Sequence, residues 1–200
     1  RLVAARGRLM HQLPPSGAMA AVFTDEQAVV RRIAAFPRLS IAAVNAPTTI
    51  IVSGDAGDLD RLRQQFTEDG IETRPLRISN AFHSPLVDPI LDEMERIATT
   101  VQYRAPEVPL ISNLTGRELR AGEMDAAYWR RHLREPVRFS GAMSAPFGQV
   151  TVPPSTANLR KYSGSFKGSK TGPCSQSRKS MVFVVPSLNG HARFYSASGR

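Results

Sequence analysis

Four histidines, one cysteine and no paired metal ligands limit the chemistry open to this 200-residue chain. The histidines, at 11, 83, 132 and 191, are too dispersed for any two to pair locally on a metal. Cys174 stands alone, which excludes an intrachain disulfide and any multi-cysteine metal site, so the expected metal complement is none. No Gly-rich phosphate loop is present. Nor is there a Gly-x-Ser-x-Gly nucleophile elbow, since Gly164-Ser165-Phe166-Lys167-Gly168 carries its serine one place early. Asn113-Leu114-Thr115 has the form of a glycosylation sequon, and without a secretion signal it is expected to be inert. His83 remains. It lies in Asn80-Ala81-Phe82-His83-Ser84-Pro85, after an expected strand and before an expected helix, where α/β enzymes place reactive groups. An imidazole with an ordinary pKa near 6.5 could act there as acid or base. Taken by itself, a solvated or structural histidine is the commoner reading of such a turn.

The elements that must position His83 are legible from pattern. From Gly17 the chain reads strand, helix, strand, strand, helix, strand. Ala18 to Phe23 is a short apolar run, and Thr24-Asp25-Glu26-Gln27 has the capping-box form. The following helix sets Ala28 or Val29, Ile33 and Phe36 on one face and stops at Pro37. Ile41–Val44 and Thr49–Val52 are β-branched runs around the turn-like Asn45-Ala46-Pro47-Thr48. Asp55 opens a second helix with Leu59, Leu62 and Phe66 in register, Gly70 fits its C-terminal cap, and Thr73–Ile78 supplies a last strand. This βαββαβ order is that of a ferredoxin-like split βαβ unit. Beyond it, Pro85–Thr99 reads as one helix, Val108–Ser112 as a buried strand and Ala126–Leu133 as a short helix. These later pieces resemble the edge of an α/β layer.

Charge divides the chain in two. Residues 1–148 hold 18 Arg, no Lys and all 17 acidic residues, a balance of +1; residues 149–200 hold 8 Lys and Arg and no acid, a balance of +8. The net charge of +9 therefore belongs to a Ser/Gly-rich tail, expected to be largely disordered. A nucleic-acid module should carry its cations on the folded part, interleaved with aromatics. That makes the alternative function, a non-catalytic module whose basic tail binds nucleic acid or acidic partners, the weaker one. No apolar run reaches the roughly 18 residues that would span a bilayer. The first residues lack both an initiator Met and a signal-peptide apolar stretch, so the expectation is the interior of a longer, cytoplasmic protein.

Five pieces, in order, resemble the acyltransferase domain of type I polyketide synthases and the malonyl-CoA:acyl-carrier-protein transacylases. They are Arg6-Gly7-Arg8-Leu9-Met10; Gly17-Ala18-Met19-Ala20-Ala21-Val22; Ala43-Val44-Asn45-Ala46-Pro47 with Val52-Ser53-Gly54; Ala81-Phe82-His83-Ser84-Pro85-Leu86; and Pro109-Leu110-Ile111-Ser112-Asn113 with Tyr128-Trp129, His132 and Arg134-Glu135-Pro136-Val137-Arg138-Phe139. Each alone is weak; the ordered set over residues 1–143 is specific. The resemblance implies an α/β fold in which a ferredoxin-like subdomain, residues 17–80, is inserted into an α/β-hydrolase-like subdomain. Of that larger part this chain would hold residues 1–16 and 81–148. Residues 149–200 resemble nothing in the family.

The resemblance also implies roles. His83 matches the catalytic base that takes a proton from a serine and returns it to a thiol. Arg6 matches the arginine that grips the free carboxylate of a malonyl-type acyl group, a task suited to the paired donors of a guanidinium. Asn80 and Phe82 fall in the segment that tracks the extender unit. His-Ala-Phe-His there marks malonyl, so Asn80-Ala81-Phe82-His83 departs at its first position and keeps the Phe. Asn45 and Asn113 match asparagines near the pocket, with a plain turn role for Asn45 equally open. A main-chain carbonyl that orients the imidazole is placed at Arg138. Tyr128, Trp129 and His132 are read as packing. The substrates implied are a coenzyme A thioester, malonyl-CoA, and the phosphopantetheine thiol of an acyl carrier protein, with neighbouring synthase domains as partners and no bound cofactor. In the family the nucleophilic serine and an oxyanion-hole glutamine lie upstream of the Arg6 motif, so this chain alone is expected to be inactive.

Overall fold

The computed structural model describes residues 1–78, 80–107 and 109–144, together with the backbone of two strands at 181–186 and 192–197. Its centre is a four-stranded antiparallel sheet of β1 (Gly17–Val22), β2 (Leu39–Ala46), β3 (Thr49–Asp55) and β4 (Thr73–Pro75), in the order β2-β3-β1-β4. Helix α2 (Glu26–Ile33) follows β1, and α3 (Ala56–Glu68) follows β3.

Both helices start on an aspartate. Asp25 Oδ1 accepts from the Ala28 amide at 2.8 Å, and Asp55 Oδ1 from the Asp58 amide at 3.0 Å. The capping box read on Thr24 and Gln27 is thereby corrected: the shorter carboxylate one place later takes the free donor. Gly70, at φ +73°, follows the end of α3 in the left-handed conformation that terminates helices.

Period-two alternation splits the sheet between two cores. Ala20, Val22, Ile41, Val44, Ile50 and Val52 face Val29, Leu59, Leu62 and Phe66 of the helices. Burying a side chain such as Leu62 or Phe66 removes it wholly from water, worth about 2–3 kcal/mol each. The other face, with Met19, Ala21, Ala42 and Ile51, is covered by Leu76, Ile78 and Phe82 of the segment leaving β4. Strand β2 carries two bulges, where Ala42 and Asn45 are extra residues against β3. Beside the first, Ala42 O accepts from Val137 N and Val44 N donates to Val137 O, both at 2.9 Å, so the sheet edge grips the chain at Val137.

A second core joins α1 (Leu2–His11) to the later elements through Leu9, Val87, Ile90, Leu91, Met94 and Leu133. The single helix expected over 85–99 is a 3-10 helix, Pro85–Ile90, followed by α4 (Leu91–Ala98). Pro89 lacks an N–H and crowds the preceding turn, which breaks the α-helical ladder there. Residues 109–112 of the expected strand make only an isolated bridge, Ile111 to Glu118, while α5 (Ala126–Arg134) and α6 (Phe139–Met143) complete this part. β4 stops at Pro75, three residues short of the expected end. In the tail, β5 (Met181–Pro186) pairs antiparallel with β6 (Ala192–Ala197); Met-Val-Phe-Val-Val is a strong β-forming run. The rest of 149–200 lies outside the described residues.

Candidate active site

His83 is held by a closely packed turn. Gly17, at the start of β1, lies so close to Ala81 that a Cβ on it would sit 2.4 Å from the Ala81 Cβ. Ser84, fully buried, donates its hydroxyl to the Ala81 carbonyl at 2.7 Å and accepts from the Leu86 amide at 3.2 Å, capping the 3-10 helix. Between them His83 adopts φ +59°, and among the described residues it alone is a non-glycine with positive φ. That conformation costs about 1 kcal/mol and is sustained only by surroundings that over-determine it.

His83 is 6% exposed. Its pKa is pushed down to about 4, first by burial and then by the Arg6 guanidinium, with Arg134 adding to the effect. The main-chain carbonyl of Glu135 faces the imidazole and opposes the shift, although the buried Nδ1 closes no hydrogen bond in this state. Catalytic contacts often tighten only with substrate bound. At neutral pH the ring is uncharged, the form a base requires.

Arg6 projects from α1 into the same enclosure. Its Nε is buried with no partner, burial lowers its pKa, and no carboxylate forms an ion pair with it among the described residues. Arg6 as a whole is half-buried, and a guanidinium drawn that far out of water without a counter-charge is costly unless an anion completes it. His132 is the third member. It is 5% exposed, and burial, then Arg6 and His83, push its pKa to about 3. Its Nε2 lies 3.2 Å from Asn113 Oδ1, and its ring packs against Tyr128 and Trp129 at centroid distances of 5.8 and 5.4 Å.

Of the residues singled out in the sequence, Arg6, His83 and Asn113 therefore converge on one buried cluster. Asn80 Nδ2 reaches the Met10 carbonyl at 3.4 Å, tying the histidine loop to α1. Phe82 is half-buried against the sheet face opposite α2 and α3. Asn45 is exposed in the second bulge of β2. Arg138 does not take the orienting place expected of it. Its carbonyl accepts from the Ala142 amide at 3.0 Å in the first turn of α6, and the carbonyl facing His83 belongs to Glu135. The sequence favours packing over chemistry for His132, because nothing local separates a buried histidine in a helix from an apolar residue there.

The sequence profile of the family described as "Acyl transferase domain" matches residues 1–152. The chain belongs to the acyl transferase domain family. The match runs beyond residue 143, where the motif resemblance ends. Polyketide synthase GfsA of Streptomyces halstedii is 42% identical over 149 residues, which are 74% of this chain and 2% of that protein. The acyltransferase domain from the second module of the salinomycin polyketide synthase is 44% identical, with a TM-score of 0.68 over 71% of this chain and 33% of its own. Malonyl CoA-acyl carrier protein transacylase from Burkholderia pseudomallei is 28% identical, with a TM-score of 0.64 over 71% of this chain and 49% of its own. The chain thus spans a small fraction of the synthases and under half of the solved acyl transferase chains it resembles. Among the described residues no helix is long and apolar enough to cross a membrane.

Proposed function

We propose that this acyl transferase segment supplies the base and the carboxylate clamp for moving a malonyl-type acyl group from coenzyme A to the phosphopantetheine thiol of an acyl carrier protein, within a cytoplasmic polyketide synthase. The observation that carries the reading is a half-buried Arg6, with no carboxylate partner among the described residues, beside a buried, neutral His83. A guanidinium in such a place recognises an anionic acyl group through charge-assisted hydrogen bonds. The finer architecture goes with it: β1 to β4 with α2 and α3 form the ferredoxin-like insert, and the remaining helices belong to the larger α/β-hydrolase-like subdomain.

In this reading His83 takes the proton from a serine hydroxyl as the oxygen attacks the thioester carbonyl. The C–S bond breaks, and the departing coenzyme A thiolate receives that proton from His83. The carrier-protein thiol then attacks the acyl-serine ester, giving its proton to His83, which returns it to the serine oxygen. Arg6 holds the acyl carboxylate through both halves, and Asn80 and Phe82 line the acyl side. The 200 residues contain no Gly-x-Ser-x-Gly, so the serine comes from sequence outside them. The test joins residues 1–148 to the serine-bearing half of a close relative and follows malonyl transfer to a carrier protein. Transfer that survives His83→Ala would overturn the assignment; the 200-residue chain alone should stay at the no-enzyme baseline.

A further inference from the structure

Asn113 holds the chain on both sides of the carbonyl that faces His83. Its side-chain Oδ1 meets His132 Nε2 at 3.2 Å, and its main-chain oxygen accepts from the Arg138 amide at 2.6 Å. His132 stands three residues before Glu135, and Arg138 three after. Glu135 itself leaves the helix in an extended conformation, at φ −84° and ψ +160°, so no helical bond restrains its carbonyl. Downstream the chain is already fixed, because Val137 pairs with β2 through both its amide and its carbonyl. Upstream, the last turn of α5 sets where the carbonyl points.

That turn is anchored by two contacts one helical turn apart. Tyr128 OH lies 3.0 Å from Ser112 Oγ, and His132 reaches the next residue, Asn113. We infer that His132 is a positioning residue, which through Asn113 holds the Glu135 carbonyl against the imidazole of His83. An amide oxygen only accepts, so His132 donates from Nε2–H and is fixed as one neutral tautomer. An apolar side chain could fill the same space between Tyr128 and Trp129, but it would leave Asn113 without this donor. The inference rests on the reading of His83 as base, and it gives His132 no contact with substrate.

The test uses the 200-residue chain itself and needs no turnover. Two-bond 15N–1H spectra at pH 7.5 report the tautomer of each imidazole, with His83 and His132 assigned by their Gln variants. In the unaltered chain His83 should show one neutral tautomer. His132→Phe should convert it to a mixture. His132→Gln carries an N–H the same number of bonds from its Cα and should retain the single tautomer. Asn113→Ala keeps the main-chain bond to Arg138, removes only the side-chain arm, and should match His132→Phe. Asn113 is half-buried, so this second variant decides the matter if His132→Phe does not fold. Mixed His83 tautomers in the unaltered chain, or a single tautomer preserved in the Phe and Ala variants, overturn the inference. Absence of malonyl transfer in residues 1–148 joined to a serine-bearing half, with the tautomers intact, would count against the proposed function instead.

Discussion

Arg6 and His83 share one buried neighbourhood, yet substitution should separate them. In a chain joined to its serine-bearing half, His83→Ala removes the base and should cut acyl-enzyme formation by about 10²–10⁴ with malonyl and acetyl donors alike. Arg6→Ala removes a partner that only the α-carboxylated donor engages. Malonyl transfer should then fall about 10- to 150-fold, the value of a charge-assisted bond, while acetyl transfer holds or rises. Equal slowing of both donors, measured as kcat/KM, would make Arg6 a structural helix residue. Both residues were visible in the sequence because their motifs are local: a strand-end turn and a short basic stretch. His132 was not, since its part depends on Asn113, nineteen positions away. The main-chain carbonyl that faces His83 is that of Glu135, three residues before Arg138, for a related reason. Which carbonyl faces a ring is set by where α5 ends, not by residue type.

Two glycines test the elements that carry the site. Gly17→Ala would drive a methyl group into Ala81, with the Ala81 amide nitrogen 2.9 Å from the new Cβ. Overpacking of this kind costs about 1–3 kcal/mol and should part β1 from the His83 turn. Thermal unfolding should show a Tm several degrees lower. Gly7, inside α1, has nothing within 4 Å of its virtual Cβ. Gly7→Ala should therefore raise stability by about 0.5–1 kcal/mol through helix propensity. If Gly17→Ala melts no lower than Gly7→Ala, the close approach does not constrain the turn. The same scale shows what periodicity reads well. Apolar spacing located α2, α3 and α5, whereas Pro89 divided a helix whose stripe, Ile90, Leu91, Met94 and Ile97, runs on across the break.

For the whole molecule, two buried histidines set a pH dependence. Both fold with pKa values below the ordinary 6.5, at about 4 and about 3, so the unfolded chain binds protons more readily between those limits. Stability is then fully present above about pH 6.5 and is lost as pH falls toward 4. For His83 the loss amounts to about 3 kcal/mol at most. Chemical denaturation at pH 7.5, 5.5 and 4.5 should show this decline, and the His83→Gln, His132→Gln double variant should flatten it. Glu123, hydrogen-bonded by Arg117 and held at about 2, titrates lower and does not account for that window. An unchanged midpoint from pH 7.5 to 4.5 would mean that the cluster is hydrated.

By itself the sequence determined the order of strands and helices from residues 17 to 75, the confinement of excess charge to residues 149–200, and the family, through ordered motifs. These are local properties: alternation, capping residues and short strings survive without knowledge of what they touch. Tertiary structure decided the rest. It selected Asp25 over Thr24 as a cap, turned the Ala42 bulge into a grip on Val137, and left Asn45 in water. It also brought Arg6, His83 and His132 from three separate stretches into one enclosure without a carboxylate partner for the arginine among the described residues. Burial raises the cost of charge only where several elements exclude water together, and no run of residues carries that information alone.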